Sequence, residues 1–278
     1  MGKLDGQVAF ITGAARGQGR SHAVRLAREG ADIIAVDICS QISSVSYPMS
    51  TPADLAQTVK EVEAQGGRIV ARQADVRDMS AVRHAVSEGT AALGRLDIVC
   101  ANAGIIPPPA LTWEVDVDQW REVVDVNLTG VFITVKAAIP HMIQAGHGGS
   151  IALTSSGAAL ISSTHLSGYS ATKAAVLSLT RTLAYELAPH LIRVNAICPT
   201  SVDTPMIQND ALYRAFRPDL DNPGRDDVKA EFQSKNLLPI PWVDPLDVSN
   251  AIVWLASDQA RYITGVTLPV DAGNALKC

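Results

Sequence analysis

The sequence contains no C-x-x-C pair and no histidine pair beside a cysteine, and it has only four cysteines in 278 residues: Cys39, Cys100, Cys198 and Cys278. That pattern argues against a metal site and a dithiol redox centre. It leaves reduced thiols as the expectation, with Cys100 and Cys198 inside apolar runs as small core residues. No apolar run reaches the ~18 residues that a spanning helix needs, and the polar start leads straight into a strand-like segment. Neither a membrane span nor a signal peptide is therefore expected, and a cytoplasmic location is. The formal net charge of −5 is dispersed. With no basic face and no like-charge run, nucleic acid is disfavoured as a partner. Internal repeats and low-complexity blocks are also missing.

The chain alternates short apolar runs with helix-length segments. Strands are expected at 8–12, 32–36, 69–75, 96–101, 151–154, 192–197 and 266–270. Helices are expected from the first glycine turn to Glu29, over about 54–65, in a stretch ending near Gly94, and over 118–144, 169–187 and 244–255. Alternation of this kind implies right-handed βαβ crossovers. The expectation is one doubly wound α/β domain over 1–278, with a seven-stranded parallel sheet of Rossmann type and helices on both faces. Its near-continuous apolar strands suit burial on two sides. Two stretches exceed what short crossovers need. One is an insertion at about 38–53, rich in Ser and Pro. The other, at about 205–241, carries Met206, Ile207, Leu212, Tyr213, Phe216 and Phe232, too apolar for a solvated linker, and is expected to form a helical lid over a pocket.

Gly13, Gly17 and Gly19 sit between the first strand and the first helix, in T-G-A-A-R-G-Q-G. Three glycines alone could mark any turn. The strand–turn–helix setting is what points to a dinucleotide pyrophosphate, approached by main-chain N–H groups at a helix N-terminus. Gln18 lies within this loop. Arg16 suits a phosphate there, or equally a surface pair. Asp37 ends the second strand about 20 residues past the glycines, where a carboxylate accepts hydrogen bonds from both ribose hydroxyls and repels a 2′-phosphate. Ile38 and Cys39 offer no cation to offset that repulsion, so NAD is expected rather than NADP. Asp75 and Val76, after the third strand, suit adenine. Asn102, Ala103 and Gly104, after the fourth, let main chain lie against the cofactor.

Tyr169 and Lys173 stand four apart on a helix and face the same way. On its own, Y-x-x-x-K is as often a surface pair. An ammonium and a bound cationic nicotinamide stabilise a phenolate, pulling its pKa down from about 10. Ser156, thirteen residues before Tyr169, ends the fifth strand on the same sheet edge and can hold a substrate oxygen; Ser155 is its rival. Asn127 lies mid-helix, a poor place for Asn unless its side chain is engaged. It is expected to kink the helix and hold a water leading to Lys173.

Taken together, these residues resemble the short-chain dehydrogenase/reductase family over nearly the whole chain. The resemblance implies a catalytic set of Asn127, Ser156, Tyr169 and Lys173, with Tyr169 and Lys173 also touching the cofactor. It implies too that Pro199, the main chain of Val202 and the hydroxyl of Thr204 meet the nicotinamide, and that the usual assembly is a homotetramer. The family's Pro-Gly pair is here Pro199-Thr200, which puts that loop's path in doubt. G-A-A-R-G-Q-G-R-S-H-A, V-D-I-C with its insertion, and P-T-S-V-D-T-P-M-I look like the carveol-dehydrogenase-like subfamily associated with mycofactocin. That likeness implies tightly held NAD covered by the insertion, and a mycofactocin-type electron acceptor as partner. His22, in the first of these stretches, reads as a helix-surface residue.

The expected reaction is hydride transfer between NAD and a neutral hydrophobic secondary alcohol or ketone, in the manner of a cyclic terpenoid such as carveol. Leu160, Ile161, Met206, Tyr213, Phe216 and Trp242 are the apolar lining candidates, and His165 a polar one. No arginine is evidently placed to clamp a carboxylate. Two other readings stand beside this one. An NADPH-dependent ketone or acyl-chain reductase is opposed by Asp37. A non-catalytic NAD sensor is opposed by the presence of both Tyr169 and Lys173.

Overall fold

All five residues of β1 (Val8–Thr12) are buried, as are all but the first of β2 (Asp32–Asp37), because helices cover both faces of the sheet. A computed structural model describes residues 2–161 and 163–277. Cys278 therefore lies outside the described residues, while Cys39, Cys100 and Cys198 are free and buried. The remaining strands are β3 (Ile69–Gln73), β4 (Ile98–Ala101), β5 (Gly149–Thr154), β6 (Ile192–Pro199) and β7 (Thr267–Val270). All pairs are parallel, in the order β3-β2-β1-β4-β5-β6-β7, the doubly wound Rossmann-type sheet that the alternation predicts. The order reverses between β1 and β4, and a crevice opens above their carboxyl ends.

The helices among the described residues are α1 (Gly17–Arg28), α2 (Pro52–Glu63), α3 (Met79–Leu93), α4 (Val117–Val124), α5 (Gly130–Ala145), α6 (Ser167–Leu187), α7 (Asp210–Phe216), α8 (Lys229–Ser234) and α9 (Pro245–Ala256). One sheet face packs on α1, α2 and α9 through Leu26, Val62 and Ile252; the other packs on α3, α5 and α6 through Val86, Val135 and Val176. Local chemistry sets the boundaries. Thr51 and Asp54 form a capping box with Pro52 at the first helical position of α2, and Asp244 with Asp247 does the same before Pro245 of α9. Asp78 caps α3, which stops at Gly94 with φ 92°. By contrast α1 has no side-chain cap, so no capping side chain among the described residues occupies its first N–H groups at the crevice.

Three sequence expectations change. The helix expected over 118–144 runs from 117 to 145, through a π-turn at Asp125–Thr129 between α4 and α5. By length and mean hydropathy (1.4) this one stretch is apolar enough to cross a membrane. Counting uninterrupted apolar runs missed it because polar residues punctuate it. More than half of its most apolar window is buried, and α5 packs in the core on α3. His22 is not on the surface: it is fully buried between α1 and α9, with Nδ1 2.8 Å from Ser249 Oγ. Packing of α9 covers the side of α1 that a lone helix would expose. Finally, Pro199-Thr200 needs no glycine, because Thr200 continues the strand path and donates its N–H to Val270 O at 3.3 Å.

Candidate active site

Above β1 and β4, a cleft of two joined lobes runs across the sheet edge. The first lobe, about 850 Å³, is lined by Gly13, Arg16, Gly17, Gln18, Asp37, Ile38, Asp75, Val76, Asn102, Ala103, Gly104 and Thr204 among the expected cofactor residues. Gly19 lies beneath it: a Cβ there would stand 2.0 Å from Gly13 O, so only glycine lets the turn close on the helix. Gly13 and Gly17 take φ of 68° and 55°, in the left-handed region. Thr12 Oγ1 accepts from the N–H groups of Asn102 and Ala103, both at 3.1 Å, and Asn102 Nδ2 donates to Thr12 O at 3.0 Å. These bonds fix the width of the crevice at its switch point.

The buried Asp37 carboxylate is held by the protein itself. Oδ2 accepts from Ala15 N at 2.9 Å, and Oδ1 accepts from Ser50 Oγ at 2.5 Å and from Cys39 N at 3.2 Å. Asp75 lines the lobe, but its oxygens face Arg77, whose Nε lies 2.9 Å from Oδ2 and whose Nη1 reaches Glu122 at 3.0 Å. An adenine contact therefore has to share Asp75 with Arg77. The long segment after β2 folds over this lobe. Its Ile42, Val45 and Tyr47 pack with Val76, Ile105, Val123 and Val126, and Arg16 stacks 5.9 Å from the Tyr47 ring centroid.

The second lobe, about 1110 Å³, shares Gln18, Asn102, Gly104, Thr204 and Met206 with the first. Ser156, Tyr169, Lys173, Pro199 and Val202 line it. Ser156, just past β5, is in an extended conformation and accepts from Ala158 N at 3.1 Å, which turns the chain and presents its hydroxyl at the sheet edge. Ser155 is buried and donates to Lys173 O at 2.7 Å, so of the two serines it is the structural one. Lys173 is buried, and its Nζ donates to Thr154 O at 2.9 Å and lies 5.7 Å from the Tyr169 ring centroid. Burial pushes the lysine pKa down to about 8. Burial also raises the Tyr169 pKa, opposed by contact with the Ser156 hydroxyl. Burial thus disfavours the charged form of both groups.

Asn127 lines neither lobe. It is fully buried in the π-turn, where Oδ1 accepts from Ile105 N and Nδ2 donates to Ile105 O, both at 2.8 Å. The expected kink is thus present as a π-turn, and the side chain is spent on the main chain after β4. Its Oδ1 and Lys173 Nζ both face Gly104, each 3.3 Å from where a Cβ would stand.

Val202 forms a single parallel bridge with Val243: Ser201 O accepts from Val243 N and Asp203 N donates to Val243 O, both at 3.0 Å. The alternation of such a bridge turns Val202's own N–H and C=O the other way, on the lobe side, and neither has a partner among the described residues. A glycine cradle that excludes a Cβ, an acid at the end of β2 and an unpaired main-chain donor and acceptor past β6 together suit the two ends of a dinucleotide.

Of the apolar candidates, Ile161, Met206 and Phe216 line the second lobe, while Leu160, Tyr213 and Trp242 do not. Tyr213 is buried with its hydroxyl donating to Gln208 Oε1 at 2.7 Å, and Trp242 packs edge-on against Phe232. His165 is an exposed loop residue with φ 66° and lines neither lobe. The sequence reading missed Lys235, from the end of α8, and Asn274, from beyond β7. Nothing near either residue in the chain marks it as part of this wall.

The short chain dehydrogenase family pattern matches residues 7–213. The chain belongs to that family of oxidoreductases. It is 52% identical to (−)-trans-carveol dehydrogenase of Rhodococcus erythropolis over 277 residues, covering all of both chains. Among solved structures it superposes on carveol dehydrogenase from Mycobacterium avium in complex with NAD with a TM-score of 0.99, at 53% identity and full coverage of both. A short chain dehydrogenase from Mycobacterium paratuberculosis bound to NAD gives a TM-score of 0.91 at 45% identity, covering 99% of this chain and 100% of that one.

Proposed function

We propose that the protein oxidises a hydrophobic secondary alcohol to the ketone with NAD, and reduces the ketone in the reverse direction. The observation that carries this reading is the meeting of Ser156, Tyr169 and Lys173 in a lobe continuous with the glycine-lined one. Gly13, Gly17 and Gly19 allow the pyrophosphate to approach the start of α1, Asp37 takes the adenosine ribose, and the free main chain of Val202 with the Thr204 hydroxyl takes the carboxamide. Bound there, NAD supplies the acceptor for the carbinol hydride and a positive charge that favours the phenolate. Ser156 donates to the substrate oxygen and orients it. Tyr169, as phenolate, takes the hydroxyl proton. Lys173, fixed by Thr154 O, holds positive charge beside the phenol and reaches the nicotinamide ribose. Asn127 positions Ile105 and the turn over Gly104. The alcohol thus loses one hydride and one proton for each ketone formed.

The segment 205–241 supports a lid reading. Ile207, Tyr213, Val228 and Phe232 give it a core of its own, while Phe216 and Phe232 also wall the substrate lobe. The segment 38–53, packed over the cofactor lobe, supports a reading in which NAD is retained and reoxidised in place by an external acceptor of the mycofactocin type. A homotetramer accords with the exposed Phe132 on α5 and Tyr185 on α6.

Tyr169→Phe tests the central step. It is expected to lower turnover about 10²–10⁴-fold while mass spectrometry of released nucleotide still finds NAD. Near-normal turnover would refute the role. An alcohol screen with free NAD and with an artificial electron acceptor separates exchangeable from retained cofactor.

A further inference from the structure

Beyond Ser156, Tyr169 and Lys173, the substrate lobe is lined by a further cationic side chain. Its lining includes two ammonium groups, Lys173 and Lys235, and no carboxylate among the described residues. Lys173 is committed to Thr154 O. Among the described residues Lys235 closes no ion pair: Glu231, one helical turn back on α8, acts on it only at longer range. The Lys235 main chain is tied on both sides, with N–H donating to Phe232 O at 3.2 Å and C=O accepting from the Nδ2 of the buried Asn274 at 2.8 Å. Its Nζ lies 4.1 Å from the Phe216 ring centroid, so this solvent-exposed lysine lies along the lobe's aromatic rim. Partial burial lowers its pKa below the ordinary lysine value, opposed by the nearby Glu231 carboxylate. The lobe's apolar lining comes from Met206, Ile207, Leu212, Phe216 and Phe232, among others.

We infer that the substrate is bifunctional: a secondary alcohol whose apolar body ends in a carboxylate, which pairs with Lys235 while the carbinol lies at Tyr169. This rests on the dehydrogenase reading and replaces the neutral alcohol expected from the sequence. A lone ammonium on a flexible stem presents a point charge suited to one anionic group. The lobe's excess of positive charge favours that anion and disfavours an amine in the same place. The ionic contact adds no chemical step.

The test compares a ring hydroxy acid, hydroxycyclohexanecarboxylate, with its methyl ester, and measures calorimetric binding of the corresponding keto acid and keto ester. The wild-type protein is expected to prefer the acid to the ester about tenfold in kcat/KM and in affinity, the scale of one hydrogen bond to a charged group. Lys235→Met should bring both ratios to about one, and Lys235→Arg should keep them. Each ratio cancels any loss common to the two molecules, impaired folding included. Equal use of acid and ester by the wild type, or a preference that survives Lys235→Met, overturns the inference. If neither alcohol is oxidised but the keto acid still binds better through Lys235, the dehydrogenase reading falls and the charge reading stands.

Discussion

Asp37→Asn isolates what one carboxylate contributes to both the fold and the choice of cofactor. The aspartate accepts from three donors, Ala15 N, Ser50 Oγ and Cys39 N. An asparagine of the same shape has one acceptor oxygen. With that oxygen toward Ala15 N, the new amide faces Ser50 and Cys39. Ser50 can rotate its hydroxyl to accept, exchanging a charge-assisted bond for a neutral one, but the Cys39 N–H is then left against another donor. Losing the charge-assisted part of two bonds, to Ala15 and Ser50, and the one weak bond to Cys39 amounts to about 2–3 kcal/mol. Urea unfolding should therefore show that loss in the cofactor-free protein. The same change removes the negative charge that repels a 2′-phosphate, so the NAD-over-NADP affinity ratio should fall at least tenfold. A variant with unchanged unfolding midpoint and unchanged ratio would refute the argument that this carboxylate organises the adenosine end.

Asn127→Ala leaves the Ile105 N–H and C=O without their partners in a buried site. It should cost about 2–4 kcal/mol in denaturant unfolding and lower turnover; an unchanged midpoint would show that the π-turn does not depend on those bonds. Tyr169 gives a pH signature: since burial raises its pKa and the phenolate is the working form in oxidation, kcat/KM for the alcohol should climb into the alkaline range, and for the ketone fall there. His22 gives a pH dependence of stability instead. Burial holds its pKa down to about 3, so the folded protein keeps it neutral while the unfolded chain takes a proton below about 6.5. Its contribution is complete above that pH and is lost by about 1.4 kcal/mol per unit as pH falls toward 3, a slope that His22→Gln should remove from pH-dependent unfolding curves.

Much of the site was legible because main-chain needs are written locally. Gly13, Gly17 and Gly19 stand where left-handed φ or a missing Cβ is required, and Tyr169 and Lys173 share a helix face by periodicity alone. Asn127 was marked as out of place mid-helix, but its partner, Ile105, lies 22 residues away and no spacing rule points to it. Ser156 was favoured, with its neighbour Ser155 as a rival. The pairing of β5 with β6 and the packing of α6 committed the Ser155 hydroxyl to Lys173 O, although both serines line the lobe.

The sequence by itself determined the alternating elements, the parallel doubly wound sheet and the two ends of the chemistry, because hydrophobic period, glycine placement and helical spacing act within a dozen residues. The tertiary structure alone decided which side chains wall the substrate lobe, that His22 is buried, and that Lys235 and Asn274 join residues far earlier in the chain at one wall. Those outcomes depend on which segments pack together. That is a balance of burial over the whole fold, and no local pattern encodes it.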